Sequence, residues 1–143
     1  MVKIKLSYME IVKKKMFLAV SSPLTKNIID RIGFDILKEK FDIVILDLFD
    51  FFNPNNVLNY VAFQSKKVKI LRPFDLVELN HLINNHNSEF LFDCTGKSVN
   101  TSFIQELCKK NNITYIFDAT SQSPIKNDSN FFYGKILSFI INK

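Results

Sequence analysis

Three apolar runs in this chain end in an aspartate: Ile45-Leu46-Asp47, Leu91-Phe92-Asp93 and Ile116-Phe117-Asp118. The last two continue as Phe-Asp-x-Thr, so Thr95 and Thr120 each follow their acid by two residues. Carboxylates and hydroxyls gathered on one rim could hold a metal, a sugar or a ribose. The competing use is local, because Asp at a strand end often caps the turn or helix that follows. Capping is the commoner use of any single Asp in this position.

Other chemistries can be tested on the same stretches. Thr95-Gly96-Lys97-Ser98 ends like a phosphate loop, but the full motif needs Gly where Leu91 stands. A looser role remains, since backbone amides at a helix start can hold an anion. The dinucleotide fingerprint Gly-x-Gly-x-x-Gly is absent, because the glycines are Gly33, Gly96 and Gly134. Cys94 lacks the arginine that would close a phosphatase-type loop, since position 100 is Asn100. It reads instead as a small residue at a tight strand end. His81 and His86 are five apart on one predicted helix, out of line for a metal pair, and read as surface residues. No Cys/His cluster has metal-ligand spacing, so no metal is expected.

These residues need elements to place them. Residues 17–20 and 41–48 are continuous apolar runs, as expected of strands buried on both faces. Between them Ser22-Pro23 reads as a helix start, and Leu24, Ile28, Ile29, Ile32, Ile36 and Leu37 follow at helical spacing. Residues 49–56 read as a loop or short helix, 57–63 as a possible helix and 68–71 as a weak strand. Residues 74–86 read as a helix with Leu76, Val77, Leu79, Leu82 and Ile83 inward, and 90–93 as a strand. A helix to about Lys110 follows, started by Ser102 with Gln105 or by Ser98. Residues 113–117 form the next strand, 119–130 a polar loop and 131–141 an apolar helix.

Strand and helix alternate throughout. The pattern predicts an α/β domain: a three-layer, Rossmann-like doubly wound sheet of about five mostly parallel strands. Residues 1–14 read as an extension or extra element, and 15–143 as a single domain. Asn recurs near helix ends, where it tolerates the left-handed conformation.

The 143 residues carry a net charge of +5, with the lysines in small groups that flank elements. That pattern does not favour nucleic acid. No apolar run approaches a membrane span. The run after Lys13-Lys14-Lys15 is too short for a secretion signal, so cytoplasm is the expected location. Two cysteines in that setting are expected as free thiols.

Ligands of an open parallel sheet bind beyond the carboxyl ends of its strands. The expected rim therefore holds Ser21, Ser22, Asp47, Asp93, Thr95, Gly96, Lys97, Ser98, Asp118, Thr120 and Ser121. The apolar end, with Phe132, Ile136, Phe139 and Ile140, is expected to pack on its own sheet, on a further domain or on a second copy.

Residues 41–48 followed by Phe52-Asn53-Pro54, and later 90–96, carry a resemblance. Here the chain resembles the amino-terminal half of glycosyltransferase-like proteins of the two-Rossmann-domain (GT-B) type from bacterial surface-polysaccharide clusters. The resemblance spans roughly residues 17–118. It implies an acceptor-side domain that receives the acceptor, can supply a base and is not catalytic alone. The nucleotide-sugar would be held by a carboxyl-terminal domain. No catalytic residue carries over; Asp47, Asn53, Asp93 and Asp118 match in position as rim candidates. No cofactor of the chain itself is identified. The alternatives are a non-catalytic α/β interaction or dimerisation module, and a small nucleotide-binding domain.

Overall fold

A computed structural model of the chain describes residues 12–55, 63–96 and 101–117. Five strands form one sheet in the order β3-β2-β1-β4-β5, and every neighbouring pair is parallel. They are β1 (Lys14–Val20), β2 (Phe41–Asp47), β3 (Lys69–Leu71), β4 (Phe90–Asp93) and β5 (Thr114–Phe117). The helices are α1 (Lys26–Arg31), α2 (Phe34–Lys40), α3 (Phe49–Phe52), α4 (Leu76–His86) and α5 (Ser102–Lys110). This is the expected doubly wound α/β architecture, and its order reverses at β1.

The pleat divides the core in two. Met16, Leu18 and Val20 of β1 pack with Ile43, Ile45 and Phe92 under Ile29 of α1 and Leu37 of α2. Phe17 and Ala19 pack with Val44, Leu46 and Leu91 under Leu79 and Ile83 of α4 and Ile104 and Cys108 of α5. Successive strand residues serve opposite layers, which is why these strands are apolar without alternation.

The first helical segment departs from expectation twice. It starts at Thr25, not Ser22: Thr25 is the N-cap, and its Oγ1 accepts from the Ile28 N–H at 3.3 Å. Leu24 is the cause. It is buried in the same cluster as Ile29, and these are the positions of a hydrophobic staple, which fixes the helix entry after Leu24. The segment is also two helices. Gly33 takes φ 69° and ψ 34°, its N–H closes α1 on the Asp30 carbonyl at 3.0 Å, and α2 restarts at Phe34. Only glycine adopts that conformation without cost.

Smaller corrections have similar causes. β1 begins at Lys14, three residues before the apolar run, because Lys14 and Lys15 extend the ladder in register with Phe41 and Asp42. α4 is capped by Asp75, whose Oδ1 accepts from the Glu78 N–H at 2.7 Å. Its phase buries Leu79 and Ile83, and turns Leu76 and Val77 outward. The N-cap of α5 is Thr101, not Ser102, and its side chain makes no capping bond; Ser98 lies outside the described residues. Asn87 and Asn112 take positive φ after α4 and α5, the use expected of Asn at helix ends. The expected helix at 57–63 falls almost wholly outside the described residues, and the apolar segment 131–141 entirely so. No described helix is long and apolar enough to cross a membrane.

Candidate functional site

The carboxyl rim collects the turns after β1, β2 and β4. Ser21 and Ser22 follow β1, Asp47 and Asn53 flank α3 beyond β2, and Asp93, Thr95 and Gly96 follow or end β4. Lys97, Ser98, Asp118, Thr120 and Ser121 lie outside the described residues.

Asp93 is fully buried. Its Oδ1 accepts from the Thr95 N–H at 2.8 Å and from the Thr95 hydroxyl at 2.6 Å. Its Oδ2 accepts from the Tyr115 hydroxyl. The Phe-Asp-x-Thr sequence is thus a closed turn, with acid and threonine satisfying each other. Gly96 then leaves the turn at φ 82°. Burial and the bond to Asp93 push the Tyr115 phenol up to about 12, so it stays protonated and donating.

Asp47 is 2% exposed. Its Oδ1 accepts from the Phe49 N–H at 3.3 Å, at the start of α3. Its Oδ2 accepts from Arg72 Nε at 3.0 Å. Arg72 Nη2 also donates to the Phe63 carbonyl at 2.5 Å, so one guanidinium ties the end of β2 to the segment before β3. Burial raises the Asp47 carboxyl above the usual range, against the opposing pull of the Phe49 amide and Arg72. A carboxylate so enclosed does not offer its oxygens to a ribose.

Asn53 is likewise engaged. Its Nδ2 and its backbone N–H both donate to the Phe49 carbonyl, closing α3. Ser21 Oγ donates to the Thr95 carbonyl at 2.8 Å, which laces the β1 turn to the β4 turn across the point where the strand order reverses. Ser22 is exposed and joins none of these contacts.

Two features of the rim escaped the sequence reading. Arg72 lies 25 residues from Asp47, and nothing in local spacing pairs them. Phe51 and Phe52 of α3 gather on Phe103 of α5, with centroids 5.4 and 6.1 Å from it, and all three rings are half-buried. The double Phe after an Asp-ended strand is the one signal that could have marked this cluster. All three pack against the core layer under α4 and α5, and they put partly exposed aromatic area beside the polar turns of the rim.

Other candidates resolve as structure. Cys94 is half-buried, and its N–H extends the ladder to the Ala19 carbonyl. His81 is exposed and bonded to Asn85, whereas His86 is not a free surface residue: its ring meets Phe17 edge-on at 5.5 Å. Burial, with the charges of Lys69 and Lys15, lowers the His86 pKa. Among the described residues no three His, Cys, Asp or Glu side chains could share a metal. An open cleft of about 680 Å³ lies at the opposite, amino end of the strands, among Lys13, Lys15, Phe34 and Asp42. It is remote from the rim, and it draws Lys13 and Lys38 whose ammonium groups are already bonded, to the Lys38 carbonyl and to Asp35.

Fold and rim together define the class, a Rossmann-like α/β domain in which the strand-end carboxylates Asp47 and Asp93 serve the scaffold. In comparisons with models of protein families, with curated proteins and with solved structures, nothing matches this chain.

Proposed function

We propose that this chain is the amino-terminal, acceptor-side domain of a glycosyltransferase-like protein of bacterial polysaccharide biosynthesis, working in the cytoplasm. It contributes an acceptor-binding surface and is not catalytic alone. A carboxyl-terminal domain would hold the nucleotide-sugar. The observation that carries the reading is the state of the rim. Asp47 and Asp93 are buried and engaged, while the Phe51–Phe52–Phe103 cluster lies half-open next to Asn53. Such a rim suits holding an acceptor sugar, whose apolar ring face can lie on an aromatic face. Neither Asp47 nor Asp93 is open to a substrate for proton transfer, which needs a carboxylate within reach. The two stretches that resemble the glycosyltransferase-like proteins are β2 with its turn to Asn53, and β4 with its turn to Gly96, so both reach the same rim.

The test is a titration of the isotope-labelled chain followed by amide chemical shifts. Oligosaccharide acceptors should move the amides of Asn53, Phe103 and Thr95, and Phe51→Ala should weaken that response. Nucleotide-sugars at millimolar concentration should move none of them. Shifts around Thr95 and Gly96 with nucleotides alone would replace this reading with a nucleotide-binding domain.

A further inference from the structure

Lysines that stand in small groups along the sequence meet at one end of the fold. In a parallel sheet every strand starts at the same end, and the crossover helices finish there too. Lys13, Lys14 and Lys15 open β1, and Lys66, Lys67 and Lys69 lead into β3. Lys38 and Lys40 end α2, and Lys109 and Lys110 end α5. All of them are exposed, and the acids at this end are Glu39, Asp42 and Glu89. Among the described residues the cations elsewhere are Lys26, Arg31 and Arg72. Lysine in the last turn of a helix complements its dipole, which accounts for the pairs on α2 and α5. It does not account for the two groups at the strand starts.

The strand-start groups converge. Lys13, Lys15, Lys38 and Lys67 come from three separate stretches and line the one open cleft of about 680 Å³. Lys15 is in register with Asp42 and Lys69 with Val44, so both lysines lie on one face of the sheet. Lys13 and Lys38 are bonded to the Lys38 carbonyl and to Asp35, and Lys14 is paired with Glu89 at 3.7 Å. Lys15, Lys67 and Lys69 make no ion pair with a described residue. Burial separates the partners such an end could take. Phe34, Phe41 and Phe90 are 6%, 4% and 8% exposed, so no ring of theirs is offered for stacking on an unpaired base. Val12 is the one exposed apolar residue among those lining the cleft, too little apolar area to enter a lipid surface. The ends of α4 and α5 add Asn84, Asn87 and Asn112, exposed neutral donors. Ammonium and amide donors without stacking rings fit the phosphates of a duplex.

We infer that the amino end of the sheet binds the sugar-phosphate backbone of a nucleic-acid duplex, with Lys15, Lys67 and Lys69 as the contacting cations. Contacts to phosphate carry no sequence information, so the binding is weak, indifferent to sequence and strongly dependent on salt. This face lies at the opposite end of the strands from the rim and stands or falls independently of the acceptor-side reading.

Fluorescence anisotropy of short labelled DNA duplexes of two unrelated sequences, titrated with the full chain, tests it. Both duplexes should bind alike at roughly 50 mM salt, and log affinity should fall with log salt at a slope of about −3, as for three phosphates. The double variant Lys15→Gln/Lys67→Gln should bind at least about tenfold more weakly and flatten that slope by about two. Both side chains are exposed, so its melting temperature should match the parent's. Lys26→Gln, at the far end of the fold, should bind as the parent does. A duplex left unbound at high micromolar chain overturns the inference, and so does binding that the double variant retains. Tighter binding of the single strand, equal binding of polyglutamate, or capture by phosphatidylglycerol vesicles without binding of duplex would assign these lysines to another polyanion and overturn it equally.

Discussion

Asp47 and Asp93 flank β1 one register step apart and face opposite sides of the sheet. Asp47 is in register with Val20 and Asp93 with Ala19, and these two β1 residues belong to different core layers. In a parallel ladder residues in register share a face. Two acids that look like a pair in the sequence therefore turn to opposite faces of the sheet, each into its own set of hydrogen-bond donors.

Asp93 should behave as a stability residue. It accepts three hydrogen bonds while fully buried, so Asp93→Ala leaves several donors without a partner and should cost about 3 kcal/mol. Tyr115→Phe removes one of the bonds and should cost about 1 kcal/mol. Urea unfolding of the two variants measures both. A loss for Asp93→Ala within about 0.5 kcal/mol of zero, the range of surface substitutions, would contradict the closed-turn description.

The entry to α1 offers a paired comparison. Thr25→Ala removes the capping oxygen and should cost about 1 kcal/mol. Ser22→Ala should change stability by less than about 0.5 kcal/mol, because Ser22 is exposed and outside the helix. If thermal or chemical unfolding ranks the two the other way, the helix starts at Ser22.

The cysteines should separate by reactivity. Cys108 is fully buried among the α5 core residues, and burial together with the Asp93 charge pushes its thiol up to about 12. At pH 8 it is therefore both protonated and inaccessible. Cys94 is half-buried on the rim side of β4. A disulfide reagent should label Cys94 in the native protein and Cys108 only on unfolding. Fast labelling of both thiols in Cys94→Ala and Cys108→Ala variants would show that α5 is not docked as described.

Strands 41–47 and 90–93 were legible because burial on both faces leaves a continuous apolar run, and few other elements produce one. Their order followed from alternation with helices. The helix break at Gly33 was hidden, because the apolar spacing of Ile28, Ile29, Ile32 and Ile36 continues through it while the backbone does not. Leu24 stands at helical spacing in the sequence, yet it is buried ahead of the N-cap Thr25 and outside the helix. The acids at strand ends were visible, but their purpose depends on Arg72 and Tyr115, 25 and 22 residues away. Such partners are fixed by strand register, which sequence spacing alone does not supply.

The Asp47–Arg72 contact should leave a signature in the pH dependence of stability. Burial raises the Asp47 pKa in the folded chain above its unfolded value near 3.8, so the folded state holds this proton more tightly. The sign is the reverse of an ordinary salt-bridged acid. Asp47's contribution favours folding most at acid pH and declines as pH rises through the raised value. Arg72 limits the decline by pairing with the ionised form, and its side chain is 27% exposed, so it is itself only partly desolvated. Arg72→Met removes that compensation. The variant should lose about 2–3 kcal/mol at pH 7, where a buried carboxylate is left without its partner charge. The deficit should shrink toward pH 4.5 as Asp47 takes up a proton. Asp47→Asn in the same background should abolish the difference between the two pH values. Urea unfolding of the three proteins at both pH values decides the matter: a deficit for Arg72→Met that is the same at pH 7 and pH 4.5 would mean that Arg72 works through its bond to the Phe63 carbonyl and not through Asp47.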